Sequence, residues 1–356
     1  MTAPPTHTLF VGSYGPADVA TIHACSFDAA RGELRMGAST SGITNPSFLV
    51  VSPDGAHLYA VSETGVVSDG SPGAVHAFRI AQEAGAVALN PVNERASGGD
   101  HPCHLTIHAD GRWLVVSNYG TGSVVVLPIH ADGSLGDVTS HLQHDGRGPH
   151  PERQEGPHAH AAIFTPDGRF VIAADLGIDR LLVSAFDPDA GTLRPHGEVA
   201  TRPGAGPRHL AFHPSGSHLL VVNELDNTVT LYDWDGTGGR LREVSTLPTL
   251  EPGAPENLAA DIRVAPDGRH LYVSNRGDDS IAVFAFERHR LMRLAVRPCG
   301  GAWPRGLSLT PGASHLLAAN QHTGEVSVLP VLADGADVGG PVARARIPRP
   351  TCVALA

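Results

Sequence analysis

A recurring tetrapeptide constrains this chain more than any other feature. SPDG, HADG, TPDG, HPSG and APDG end at Gly55, Gly111, Gly168, Gly216 and Gly268, and a sixth version, TPGA, ends at Ala313. The intervals are 56, 57, 48, 52 and 45 residues, a mean of about 52, or roughly one-seventh of the 356-residue chain. Periods of this length denote repeated supersecondary units that stack to bury a shared core.

Each corner is flanked by the same pieces. Before it stands a short apolar run, such as CHLTIH, HAAIFT or RHLAFH; after it comes a second, such as RWLVVSNYG, RFVIAADLG or HLLVVNELD. A third apolar run and a weaker, more polar fourth complete the unit. Asp-Gly corners between β-branched runs read as antiparallel hairpins. The N-terminal HTLFVGSYG matches a second strand, ATIHACSFD a third and GELRMGAST a fourth, while the C-terminal RPTCVALA matches a first. Joined, the two ends make a seventh unit, which an open solenoid would not require. The expected fold is all-β: residues 1–356 form a single seven-bladed β-propeller of four-stranded antiparallel blades, with the N- and C-terminal strands sharing the last blade.

Composition narrows the function. No run of 18 apolar residues exists, so no membrane span is expected. A formal charge of -11 argues against nucleic acid as the partner. All 25 basic residues are Arg, which removes Schiff-base chemistry, a Walker-A loop and a Lys base. The four cysteines form no CxxC pair, so neither that type of zinc site nor a disulfide scaffold is suggested. The N-terminal MTAPPTHTLFVGSYG shows neither a basic nor an apolar leader region, and a cytoplasmic location is expected.

In such blades the loop entering the first strand and the loop leaving the second meet at one mouth of the central channel. The entering segments include HPCH at 101–104, PHAH at 157–160, GPRH at 206–209 and WPRG at 303–306; the leaving residues include Glu63, Asn118-Tyr119, Asp175, Asn223-Glu224, Asn275-Arg276 and Gln321-His322. His104, His160 and His209 read as one repeat position, and Arg208 and Arg305 as its neighbour. His160, Arg208, Glu224 and Arg276 together form a constellation suited to an anionic substrate. The long connection from His144 to His160 reads as a solvated loop in its middle, with only His158 and His160 reaching the channel. His158-Ala159-His160 is an HxH pair without a third ligand, so no metal site is expected. There is no GxSxG elbow, no GxGxxG after a strand and only a single Trp-Asp pair, at Trp234-Asp235.

The segments GPHAH, GPRH, NELDN and SNRGDDS, set in units such as HPCHLTIHADGRWLVVSNYG, resemble the propeller-type 6-phosphogluconolactonases and the related fungal 3-carboxy-cis,cis-muconate lactonizing enzymes along essentially the whole chain. The resemblance implies hydrolysis of a sugar-acid lactone, 6-phospho-D-glucono-1,5-lactone, without cofactor or metal. It implies a site of His160, Arg208, Glu224 and Arg276; position at the same mouth makes His104, His158, His209, Arg305 and His322 the expected substrate-binding neighbours. His160 is preferred to His158 because it falls in register with His104 and His209. His or Glu could activate the water, and an Arg could hold the oxyanion or a phosphate. The partner expected is a small anionic lactone, and the protein a monomer or weak homo-oligomer. The rival readings are another lactonase or cycloisomerase, for example on a muconolactone, and a non-catalytic binding scaffold, whose rim would be more aromatic than this one.

Overall fold

The structure, a computed structural model, describes residues 6–83 and 86–356. Residues 1–5, part of the segment read as leaderless, lie outside the described residues. Seven antiparallel sheets surround a central channel. Blade 1 begins with Leu49–Val51, blade 2 with Pro102–Ile107, blade 3 with Ala159–Phe164, blade 4 with Pro207–Phe212, blade 5 with Leu258–Val264 and blade 6 with Pro304–Leu309. In the closing blade the innermost strand is C-terminal, Pro350–Leu355, and it pairs with N-terminal Thr6–Ser13, followed outward by Ile22–Asp28 and Glu33–Thr40. The expected sharing of the last blade is therefore observed. Blade 6 departs from the pattern: its third strand, Glu325–Leu332, pairs with both Ala343–Arg346 and the two-residue Asp337–Val338.

The corners fold as the repeat predicts. The amide of each terminal Gly bonds the carbonyl three residues back at 2.8–2.9 Å in all five cases, from Gly55–Ser52 to Gly268–Ala265. Those glycines lie at φ 70–75°, the left-handed region that glycine enters without steric penalty. Second strands such as Trp113–Asn118, Phe170–Asp175 and His218–Asn223 are buried throughout, because each lies between the blades on either side. Fourth strands such as Thr192–Ala200 are largely exposed. Every pair of adjacent blades shares one apolar cluster, for example Ile172, Leu181 and Val183 with Leu219, Val221 and Tyr232 between blades 3 and 4. Cys25, Leu9 and Val353 join Leu317 and Val326 between blades 7 and 6. Each such side chain contributes about 1.5–3 kcal/mol on burial, and the ring shares them out with no interface left open.

Candidate active site

One backbone irregularity builds the mouth. In blades 2, 3, 4, 6 and 7 the second residue of the innermost strand drops out of the ladder: Cys103, His160, Arg208, Arg305 and Thr351. In blade 5 the ladder resumes after Ala260 and Asp261. A bulge re-aims a side chain that strict alternation would bury between blades. Positions before the strand are set as well: Asn45, His101, Trp303 and Arg349, each followed by Pro, have φ of 46–64°. The carbonyls of Asn45, His101, Gly206, Trp303 and Arg349 accept from the amides of Glu63, Tyr119, Glu224, Gln321 and Tyr14, so these five residues occupy one equivalent position around the rim.

Two rings thus face the mouth, with a deeper layer of His104, His209 and Asp261 beneath. The register corrects the expectation for the histidines. His160 is equivalent to Cys103, Arg208 and Arg305; the partner of His104 and His209 in blade 3 is Ala161. Blade 3 carries Ala159 where blades 2, 4, 6 and 7 have Pro, and matching its last histidine to His104 and His209 sets it one residue out of step.

Glu224 is the centre of charge. Its Oε2 accepts from Arg208 Nε at 2.9 Å and Arg276 Nη2 at 2.7 Å, and its Oε1 from Arg153 Nη2 at 2.5 Å. Burial alone would raise its pKa, but Arg276, Arg208 and Arg153 outweigh burial and hold the carboxyl well below the usual carboxylate range. Arg208, among the largest fully buried side chains, also donates through Nη1 to the Ala260 carbonyl at 2.7 Å. Arg276 donates to the carbonyls of Leu258 and Ala259 and lies 5.6 Å from the Trp303 ring centroid. Burial draws the Arg276 pKa down to about 10.

His160 is buried, with Nδ1 3.8 Å from Cys103 Sγ and its ring edge-on to Tyr119 and His209 at 5.5 and 5.4 Å. Burial first, then Arg208, His209 and Arg305, push its pKa well below that of free imidazole. His209 donates from or accepts at Nδ1 with Asp261 Oδ1 at 2.9 Å, and because the Asp261 carboxylate is held ionised by Arg263, His209 and the Leu307 amide against burial, Nδ1 is the donor. Burial and Arg208 nevertheless lower His209 to about 4. His104 packs on Phe48 at 4.4 Å and leaves Nδ1 without a partner.

The remaining expected residues lie further out. His158 stacks flat on Tyr119 at 4.4 Å and bonds the Tyr119 carbonyl and Glu155, so it braces the site's wall. His322 is exposed and reaches the cluster only by stacking on Trp303 at 4.5 Å. Arg305 lies 5.2 Å from the Tyr14 ring centroid, and Tyr14 donates to Glu63 Oε2 at 2.9 Å. The leaving asparagines hold structure: Asn118, Asn223, Asn275 and Asn320 each tie a Ser or Thr of their own third strand. Asp175 accepts from the amides of His158 and Gly177 and binds His144, which pins both ends of the long loop. That loop's middle, read as solvated, instead delivers Arg153 to Glu224; its density of His, Arg and Glu was the signal. Tyr14 was also missed as a partner of the site, while Tyr119 and Asp261, expected at the mouth, had been given no part in it. Among the described residues, no group of three or more His, Cys, Asp and Glu side chains is placed to share a metal ion.

A family model, "Lactonase, 7-bladed beta-propeller", matches residues 8–355. The chain belongs to this lactonase family. The chain is 34% identical over 320 residues to a 6-phosphogluconolactonase of Bacillus subtilis, covering 89% of each chain. It is 30% identical to one of Formosa agariphila over 90% of this chain and 91% of that one. Among solved structures, the Pseudomonas aeruginosa periplasmic gluconolactonase superposes with a TM-score of 0.91 at 31% identity, covering 99% of both chains. No helix among the described residues is long and apolar enough to cross a membrane.

Proposed function

We propose that this lactonase hydrolyses 6-phospho-D-glucono-1,5-lactone to 6-phosphogluconate at the mouth of its channel. The observation that carries the reading is a buried, neutral imidazole, His160, in the same ring as Arg208, which one ionised carboxylate, Glu224, pins together with Arg276. The names of the Bacillus and Formosa relatives support the phosphorylated substrate, and that of the Pseudomonas neighbour supports the sugar-lactone class.

In the reaction, water attacks C1 while His160 accepts its proton, general-base work for which an unprotonated imidazole is suited. The carbonyl oxygen becomes an oxyanion. Arg208 Nη2 and Arg276 Nη1 make no hydrogen bond to the described residues and are the donors available for it. Glu224 cannot serve well as the base, since three guanidiniums occupy its oxygens; it fixes the donors before charge develops. Collapse breaks the bond between C1 and the ring oxygen, and the imidazolium returns its proton to that oxygen. The step as written needs no cation, and activity undiminished by exhaustive chelation is expected. Loss restored by calcium or zinc would recast Glu224 as a ligand.

The direct test is turnover of freshly made 6-phosphoglucono-1,5-lactone beside unphosphorylated gluconolactone, with a higher kcat/KM expected for the former. Hydrolysis of neither would overturn the reading. The reading includes a cytoplasmic monomer or weak homo-oligomer. The four free, buried thiols suit a reducing compartment, although the Pseudomonas neighbour is periplasmic. Cell fractionation and sedimentation of the purified protein check both points.

A further inference from the structure

Arg305 differs from the other guanidiniums of the mouth. Arg153, Arg208 and Arg276 all donate to Glu224. Arg305 makes no hydrogen bond to any described residue, and its nearest carboxylate oxygen, Glu63 Oε2, is 3.9 Å away, beyond hydrogen-bond distance. Tyr14 already donates to that same oxygen. The Tyr14 ring supports the guanidinium from one side at 5.2 Å, and Arg349 lies at 5.3 Å from the same ring centroid. Only 18% of the Arg305 side chain is exposed. A mostly buried guanidinium with its donor fork unused is an anion site awaiting its ligand.

Its place in the ring supplies the class of ligand. Arg305 belongs to blade 6 and His160 to blade 3, at the equivalent bulge position, so the two face each other across the channel. In the proposed substrate the reacting C1 and the phosphate carried on C6 lie on opposite sides of the ring oxygen. A lactone with C1 toward His160 directs its phosphate to the blade 6 side. We propose that Arg305, seated over Tyr14, binds the phosphate of the substrate and sets the preference for phosphorylated over unphosphorylated lactone. The inference rests on the lactonase reading above. Burial opposes the charge on Arg305, but Tyr14, Glu63 and Glu224 outweigh it and keep the group protonated. Arg208 and Arg276 each keep one amino group free, which the proposed reaction uses for the oxyanion; Arg305 alone keeps its whole fork free for the phosphate.

Two measurements test it. The first is kcat/KM of wild type, Arg305→Ala, Arg305→Lys and Arg208→Ala on both lactones, with melting temperatures to confirm folding. In Arg305→Ala the ratio of phosphorylated to unphosphorylated kcat/KM should fall on the order of ten- to a hundredfold, mainly through KM, as loss of a charge-assisted hydrogen bond predicts. Arg305→Lys should restore part of the ratio, and Arg208→Ala should lower both substrates together. Equal losses in Arg305→Ala, or a phosphate-selective loss in Arg208→Ala instead, would overturn the assignment. The second is calorimetric binding of 6-phosphogluconate, which needs no turnover. Wild-type binding lost in Arg305→Ala supports the site even if hydrolysis fails. No binding by wild type, or unchanged binding by the variant, refutes it even if hydrolysis succeeds.

Discussion

At the scale of single residues, Glu224 and His160 present opposite protonation problems, and Arg208 bears on both. Arg276, Arg208 and Arg153 hold Glu224 ionised against burial, while burial, reinforced by Arg208, holds His160 neutral. Replacing Glu224 by Gln keeps the shape and removes the charge that gathers Arg208 and Arg276; kcat should fall roughly a hundredfold, as for loss of a preorganised oxyanion donor. The acid limb of the pH profile should persist in this variant, because the base is still present. In His160→Ala the fall should be roughly a hundred- to ten-thousandfold, and the acid limb should vanish. An acid limb removed by Glu224→Gln and kept by His160→Ala would exchange the two roles. In wild type, kcat/KM should be flat through neutral pH and drop only well below the pKa of free imidazole. Stability follows the same sign. His160 and His209 bind protons less readily when folded than when unfolded, so their contribution is complete above about pH 6.5 and erodes as pH falls toward about 4 for His209. Denaturant titrations between pH 7 and pH 4 measure it.

At the scale of the element, the repeat position that carries chemistry is a bulge, and this explains what the sequence revealed and what it hid. Turn corners and alternating apolar runs are local signals, so blades, strand order and the composite last blade were all legible. The bulge falls at the same place in blades 2, 3 and 4, so counting back from the corner glycine gives the register: His104 and His209 stand seven residues before Gly111 and Gly216, whereas His160, like Arg208, stands eight before its own glycine, and matching histidine to histidine hides this. Arg153 was hidden for another reason: a loop's reach depends on what pins it, and the pin, Asp175, lies 22 residues further along. The sixth corner gives a test of the turn chemistry. Ala313 occupies the position held elsewhere by glycine, at φ 53°, and its amide bonds the Thr310 carbonyl at 2.7 Å. A Cβ in this conformation costs about 1–2 kcal/mol, partly offset by the greater freedom of glycine in the unfolded chain. Ala313→Gly should therefore raise stability by about 0.5–1 kcal/mol, visible as a higher Tm with unchanged kcat/KM. A lower Tm would mean that the turn is not strained.

At the scale of the whole molecule, the chain is anionic at -11 yet gathers guanidiniums at one mouth. That arrangement requires every blade to hold its angle, because His160, Arg208, Arg276 and Arg305 come from four different blades. Nothing covalent closes the ring. Closure rests on Pro350–Leu355 pairing with Thr6–Ser13, on Val353 and Leu355 packing toward blade 6, and on Cys352 packing toward blade 1. The fit is close: a Cβ at Gly12 would stand 2.2 Å from the Pro46 carbonyl oxygen and 3.0 Å from Cys352 Sγ. Removing residues 350–356 exposes the inner edge of Thr6–Ser13 and two apolar blade faces together, and an unpaired apolar edge templates association. The truncated chain should lose its single cooperative melting transition and aggregate, and its activity should vanish although no residue assigned to the chemistry has been removed. Adding the missing strand back as a synthetic peptide should recover part of the soluble, active fraction if closure is what was lost. A truncated protein that stays monomeric, melts cooperatively and hydrolyses the lactone at the wild-type rate would show that the six complete blades hold the mouth by themselves.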